Sequence, residues 1–289
     1  MNTNVLEAVI SGIKRSIRDW RLWVGVYIFN LMFAAVLSLP FAEIFVKDIS
    51  RSFVGKDLMN GFNYKWFASF VGNNADFFKA FVPQVIFILT IYAFAEILFA
   101  GGFYSGYSGK VKMKFGEFLS RGTKFFFPLL AVTATECAIL FSMFLLINPD
   151  LSYPPRELTA APLFYYSIIP LVMIVSLFAD FTRAAIVIDG DNLGNKIKHG
   201  VSFTILHPLS TTGVYACCLL ISAVVPALYF AFYQINDSTT AEGIFIEIVF
   251  SQIFVLLRIF SKLIFYAAEA ILYKENQIEV IKVKPEMLE

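Results

Sequence analysis

Residues 22–42 read LWVGVYIFNLMFAAVLSLPFA, a stretch of 21 residues without a charged side chain. As an α-helix it would be about 31 Å long, which matches the ~30 Å hydrocarbon core of a bilayer. A helix that is apolar on every side is not expected on the surface of a soluble protein. Four basic residues stand just before the stretch: Lys14, Arg15, Arg18 and Arg21. We therefore predict that this stretch spans a membrane.

Five further apolar stretches are long enough for the same structure. The six predicted spans lie near residues 22–42, 82–104, 125–147, 163–187, 210–233 and 243–273. The predicted fold is all-α: a polytopic integral membrane protein whose six transmembrane helices form three hairpins. We expect residues 1–289 to form a single six-span transmembrane domain.

The composition excludes several classes of protein. Apolar residues make up 58% of the chain, charged residues 16%, and the mean hydropathy is +0.71. An ordinary soluble domain is about half apolar and about a quarter charged. The net charge of +1 provides no field that would attract nucleic acid. We expect most of the protein surface to contact the lipid bilayer. We expect no nucleic acid partner.

Basic residues are distributed unevenly between the segments that flank the spans. Fifteen fall on the side of both termini and six on the other side. Because basic residues concentrate on the cytoplasmic side of membrane proteins, we predict that both termini are cytoplasmic. Five of the six opposing residues lie between Lys47 and Phe81, in a loop rich in aromatic residues. We expect this loop on the outer membrane surface.

A short amphipathic segment precedes each odd-numbered span. The first runs from Leu6 to Trp20, the second from Phe115 to Arg121 and the third from Leu193 to Val201. In each, apolar and polar residues separate onto two faces of a helix. We predict three cytoplasmic helices in the plane of the interface, with their basic faces toward anionic lipid headgroups.

The order of these elements resembles a known membrane domain. The second span ends in a predicted small-residue turn, Leu98-Phe99-Ala100-Gly101-Gly102, and the segment from Asn195 to Pro208 leads into span five. This order is similar to the six-helix bacterial membrane domain that some glycerophosphodiester phosphodiesterases carry ahead of their catalytic domain, and to its stand-alone relatives. The resemblance implies the bacterial cytoplasmic (inner) membrane. Since it does not include the catalytic barrel, it implies no established activity.

Ionisable residues within the predicted spans are the candidate site residues. They are Glu96, Glu136, Asp180, Arg183, Arg258, Lys262 and Glu269. A charge inside the membrane costs at least ~2.5–3.5 kcal/mol, so these side chains must face one another or water. We predict an intramembrane polar cluster, which is either a set of structural ion pairs or a site for a substrate, a lipid headgroup or a proton. Glu96 and Arg258 lie at similar predicted depths, and we expect them to pair.

Small residues and prolines indicate how the helices pack and end. Gly101, Gly102 and Gly106 form a face that favours close helix packing. Most prolines are expected at the ends of spans, where the missing N–H costs least; these include Pro40, Pro83, Pro128 and Pro208. Pro170 and Pro226 lie inside predicted spans and are expected to kink them.

No recognised reaction motif is found in the sequence. The two histidines, His199 and His207, would be about 12 Å apart along a helix, and no cluster with ligand spacing joins them. We therefore expect them to be polar residues of the membrane interface, and we expect no metal and no cofactor.

The first functional hypothesis is a non-enzymatic inner-membrane protein in envelope or lipid homeostasis, or a subunit that binds a membrane protein partner. The alternative is a small-solute or lipid permease that uses the charged cluster.

Overall fold

The computed structural model of the chain describes residues 4–49, 64–109, 114–147, 160–189, 192–235 and 240–283. Regular secondary structure in these ranges is entirely helical, which confirms the predicted all-α class. The helices are α1 (Val5–Arg18), α2 (Trp20–Ile49), α3 (Tyr64–Asn73), α4 (Ala75–Ser108), α5 (Phe115–Ile147), α6 (Ala160–Ile188), α7 (Leu193–Leu206), α8 (Pro208–Ile235) and α9 (Ala241–Val283).

Six of these helices are long and apolar enough to cross a membrane: α2, α4, α5, α6, α8 and α9. They correspond in order to the six predicted spans, which are thereby confirmed as apolar helices of spanning length. Several continue beyond the predicted bounds: α2 has 30 residues and α9 has 43. A helix does not need to end where its apolar run ends, because backbone hydrogen bonds form equally well outside the hydrocarbon.

Three prolines that we predicted at span ends lie inside helices instead. Pro40 is inside α2, Pro83 inside α4 and Pro128 inside α5. The prediction is wrong here because neighbouring groups in a membrane helix can satisfy the carbonyl that a proline leaves without a donor. Other prolines are where they were expected: Pro208 is the first residue of α8, and Pro170 lies inside α6.

Two segments predicted as separate elements are parts of longer helices. Phe115–Arg121 is the beginning of α5 and continues without a break into the third span. The predicted turn at 98–102 lies inside α4, which continues to Ser108. In both places neighbouring residues pack closely and favour continued helix over a turn. The first and third predicted amphipathic segments are separate helices, α1 and α7.

Much of the predicted outer loop from Lys47 to Phe81 is helical. α2 continues to Ile49, α3 follows at Tyr64 and α4 begins at Ala75, whereas 50–63 lie outside the described residues. Phe70 in α3 is 1% exposed, and its ring centroid lies 5.2 Å from that of Trp66 and 5.7 Å from that of Phe78. Aromatic residues one helical turn apart reinforce a helix, so the aromatic richness of this region stabilises helices.

The contacts group the chain into two compact units. Unit 1 comprises Met1–Asp19, Ile97–Leu220 and Lys262–Glu289, and unit 2 comprises Trp20–Glu96 and Ile221–Ser261. The helices α4, α8 and α9 contribute residues to both units.

Small residues allow the helices of unit 1 to approach closely. A Cβ atom at Gly200 in α7 would lie 2.6 Å from the Cα atom of Thr182 in α6, and one at Gly12 in α1 would lie 3.1 Å from a backbone nitrogen in α9. On the same side, α1 buries Ala8 and Ser16. Three of its larger apolar residues are exposed, Leu6, Ile10 and Ile17, whereas Val9 is buried.

Candidate functional site

Three of the candidate residues meet between α5 and α6 in unit 1. The guanidinium of Arg183 donates to the carboxylate of Asp180 at 2.5 Å and to that of Glu136. The side chains of Arg183, Glu136 and Asp180 are only 15%, 13% and 18% exposed. We call these three residues the Arg183 triad. It places one positive charge between two negative charges on adjacent helices.

Hydroxyl groups complete the hydrogen bonds of the triad. Ser176 Oγ donates to Glu136 Oε1 at 2.9 Å, and the Arg183 guanidinium also donates to Thr133 Oγ1 at 3.3 Å. Charges out of water require both an opposite charge and further hydrogen bonds. The triad has both, so it can hold α5 and α6 in one register without a bound ligand.

Glu269 in α9 is buried nearby in the same unit. It is 1% exposed and accepts a hydrogen bond from Tyr104 Oη of α4 at 2.6 Å. Within the described part of the chain, its Oε1 atom has no hydrogen-bond partner. The charges of Asp180 and Arg183 act on Glu269, and the charge of Lys262 acts on Asp180. Five of the seven candidate residues therefore belong to one electrostatic group.

The other two candidates, Glu96 and Arg258, belong to unit 2. Glu96 accepts a hydrogen bond from Tyr92 Oη, one turn earlier in α4, at 2.8 Å. Arg258 in α9 is exposed and lines a cavity of about 340 Å³, whose lining also includes Tyr27, Asn30, Tyr92 and Gln252. Tyr92 thus contacts Glu96 and lines the same cavity as Arg258. The pairing of Glu96 with Arg258 stays a prediction.

A second cavity, which we call the α5–α7 cleft, lies beside the triad in unit 1. It has a volume of about 400 Å³ and is lined by α5, α6 and α7. Its threonines are hydrogen-bonded within their own helices: Thr135 Oγ1 donates to the Ala131 carbonyl at 2.9 Å and Thr182 Oγ1 to the Phe178 carbonyl at 2.7 Å. Its carboxylate, Glu136, is held by Arg183. The surface that remains available in the cleft is apolar.

Two cations cap the C-terminal end of α4 in unit 1. Arg15 donates to the carbonyl of Tyr107, and Lys274 donates to the carbonyl of Ser108. The last carbonyls of a helix lack helical partners and carry the negative end of its dipole. Burial, and after it the charge of Arg18, lowers the pKa of Arg15 from its usual value. These contacts attach α1 and α9 to α4.

The glycines of the predicted packing face lie in α4. A Cβ atom at Gly102 would lie 2.6 Å from the ring of Phe118, and one at Gly101 would lie 3.1 Å from Leu129 Cδ1. Both neighbours belong to α5 in the same unit. Gly106 is half-buried, and its carbonyl accepts the N–H of Gly109 at 3.1 Å.

Sequence reasoning missed several partners of the buried charges, including Ser176 and Tyr104. It also missed Asp189, which directly follows α6, is 8% exposed and accepts a hydrogen bond from Tyr273 at 2.7 Å. His199 Nδ1 lies 3.2 Å from the same carboxylate. A polar side chain at the end of an apolar run needs a partner, and that rule could have identified Asp189 as a candidate. The rule does not indicate which residue the partner is.

Comparison with known proteins assigns no role to these residues. No family model matches it, and neither a curated protein nor a solved structure matches it. Among the described residues, no group of three His, Cys, Asp or Glu side chains is placed to hold a metal ion. The α5–α7 cleft and the cavity beside Arg258, with their neighbouring charges, are the features of the described residues that bear on function.

Proposed function

We propose that this chain is a non-enzymatic multi-pass protein of the bacterial cytoplasmic membrane that acts in lipid or envelope homeostasis, alone or as a subunit of a larger membrane assembly. The observation that carries the proposal is the Arg183 triad, in which charges within two spans bind each other beside an apolar cleft. The bacterial location is part of this proposal and rests on the resemblance in element order that the sequence indicated.

The satisfied triad favours a structural role for the charges. A general acid, a general base or a transport site needs a group that can exchange its partner for a substrate or a proton. Here Arg183 binds both carboxylates, and Ser176 occupies the other oxygen of Glu136. The neighbouring cleft offers apolar walls, which suit hydrocarbon better than a polar solute. Lipid is therefore the ligand class that this unit fits best.

Cell and activity measurements test this proposal together. Deleting the gene should change the phospholipid composition of the cells or their sensitivity to detergents. Reintroducing the wild-type gene should return both properties to those of the parent cells. The purified protein should release no product from glycerophosphodiesters or phospholipids. Turnover of such a substrate that is lost in the Asp180→Asn variant would contradict the proposal and indicate an enzyme.

The proposed orientation places both termini in the cytoplasm and α3 outside. Lys65 in α3 and Lys198 in α7 are both exposed, so they form a matched pair of positions. In intact cells, an impermeant thiol reagent should label Lys65→Cys and should spare Lys198→Cys until the membrane is opened. The opposite pattern would invert the topology.

A permease is the second candidate function, because Arg258 lines the cavity of unit 2. An arginine within a span marks pathways for ions or anionic solutes in many transporters. Proteoliposomes loaded with a panel of small phosphorylated and carboxylated solutes should leak no faster than protein-free vesicles under our first proposal. Efflux that depends on Arg258, and that is lost in Arg258→Gln, would replace the first proposal with the second.

A further inference from the structure

The α5–α7 cleft has the length of one membrane leaflet. Along α5 its lining extends from Pro128 to Ile139. Eleven residue steps of helix correspond to about 16 Å, and half of the hydrocarbon core is about 15 Å thick. The opposite walls are apolar side chains of α6 and α7, such as Ile174 and Ile197. An extended hydrocarbon chain of one leaflet therefore matches the cleft in both length and polarity.

Two lysines stand at one end of this cleft. Lys124 Nζ lies 5.4 Å from the ring centroid of Phe125, and Lys196 Nζ lies 5.8 Å from the same centroid. Lys124 is one helical turn before Pro128, and Lys196 directly precedes Ile197, so both adjoin residues of the lining. Lys196 also donates to the Ile186 carbonyl at 3.0 Å, which holds its ammonium group in place. The end of the cleft near α7 is therefore cationic.

We propose that the α5–α7 cleft binds one acyl chain of an anionic glycerophospholipid of the bilayer, and that Lys124 and Lys196 bind the phosphate of the same lipid. Basic pockets beside transmembrane helices recognise anionic headgroups in this way. A peptide would bring backbone groups that need hydrogen-bond partners, and the polar side chains of the lining are already bonded. The proposal rests on the proposed role in lipid homeostasis and assigns the ligand of that role.

Native mass spectrometry of the full-length protein in detergent can measure this binding directly. The probes are palmitoyl-oleoyl phosphatidylglycerol and phosphatidylcholine with the same chains, together with oleate. Wild-type protein should bind one molecule of phosphatidylglycerol on the order of tenfold or more tightly than phosphatidylcholine, because both headgroups carry a phosphate but the choline cation cancels the net negative charge that attracts two lysines. Oleate, which has a chain but no phosphate, should bind more weakly than phosphatidylglycerol.

Two pairs of variants separate the headgroup from the acyl chain. Lys124→Ala/Lys196→Ala should make the two phospholipids bind equally, whereas the control Lys65→Ala/Lys79→Ala removes two exposed lysines of unit 2 and should preserve the preference. Ala131→Trp fills the cleft and should weaken the binding of both phospholipids at least tenfold. Ala134→Trp, at an exposed position of α5 outside the lining, should leave the binding of both phospholipids unchanged.

The outcomes distinguish this site from the proposed function. Equal binding of both phospholipids to the wild type, or an unchanged preference in Lys124→Ala/Lys196→Ala, overturns the headgroup assignment. Full affinity in a folded Ala131→Trp variant overturns the cleft assignment. An enzymatic activity would contradict the proposed function even if lipid still bound in the cleft. If the wild-type protein bound neither phospholipid but gene deletion still changed lipid composition, only the site assignment would be contradicted.

Discussion

Units 1 and 2 treat charges within their spans in different ways. In unit 1 the Arg183 guanidinium is buried between two carboxylates, and glycines bring the helix backbones into contact. In unit 2 Arg258 is exposed at the edge of a cavity, and aromatic side chains such as Phe70 provide much of the packing. Unit 1 thus uses buried charge pairing for its structure, so the charges of the Arg183 triad should be sensitive to substitution and the exposed Arg258 of unit 2 more tolerant.

The largest expected effect follows from neutralising the central charge of the triad. Arg183→Gln leaves Glu136 and Asp180 unpaired in a buried site, so we expect a loss of about 3–5 kcal/mol in the free energy of unfolding. The same substitution at Arg258, which lines a cavity and does not lie between two carboxylates as Arg183 does, should cost less than Arg183→Gln. Thermal unfolding of both variants in one detergent compares the two units directly. Equal losses would remove the distinction between them.

Substitution of a closely packed glycine in unit 1 should give the next largest loss of stability. A Cβ atom at Gly200 would lie 2.6 Å from the Thr182 backbone, so Gly200→Ala should cost about 1–3 kcal/mol through overpacking. Gly194 in the same helix and Gly72 in α3 have no atom within 4 Å of such a Cβ. Alanine at either position should leave the melting temperature unchanged or raise it, because alanine favours helix over glycine by up to about 1 kcal/mol. A stable Gly200→Ala variant would mean that α6 and α7 are not in this contact.

A double-mutant cycle tests the predicted pairing of Glu96 with Arg258 in unit 2. Because Arg258 is exposed at the edge of a cavity, we expect a weak but measurable coupling of about 0.2–1 kcal/mol between Glu96→Gln and Arg258→Gln. A coupling of several kcal/mol would show a buried pair like that of the triad. Fully additive losses would show that the two side chains do not interact.

The smallest effect concerns single lysines at helix ends. Lys274 donates to the last carbonyl of α4 in unit 1, so Lys274→Met should cost about 0.3–1 kcal/mol. Lys79 in unit 2 forms an ion pair of 3.2 Å with Asp76, in which the two side chains are 77% and 99% exposed. Because solvent screens such a pair, Lys79→Met should leave the melting temperature unchanged. An equal loss in both variants would show that the contact of Lys274 is no stronger than a surface ion pair.

The sequence predicted the six long helices because hydropathy and bilayer thickness together fix where a span can form. It failed at Pro40, Pro83 and Pro128, since local rules for proline come from helices in water. It also failed at Phe115–Arg121, where a polar segment continues into a span. There the packing of Phe118 against Gly102 favours an unbroken helix, and that contact joins residues 16 positions apart.

For the candidate site, the sequence identified the charged residues but not their partners. The cost of a charge in the membrane required that Glu136, Asp180 and Arg183 find partners. Depth along a helix does not determine which helices are neighbours, so the contact between Arg183 and Glu136 could not be predicted. The sequence did not identify the lysines beside the cleft as site residues, and the reason is different. Lys124 and Lys196 lie at span ends, where lysine is ordinary, and only the fold brings both to the ring of Phe125.

We expect that the Arg183 triad stabilises the fold and takes no part in the function. The most direct test replaces all three residues with apolar side chains of similar size, as Glu136→Met/Asp180→Leu/Arg183→Met, because such replacements of buried ion pairs are often tolerated. The measurement is rescue of the deletion phenotype per amount of folded protein. We predict that the triple variant is more stable than Arg183→Gln and rescues as well as the wild type. A triple variant that folds but fails to rescue would contradict the account and make the triad a functional site.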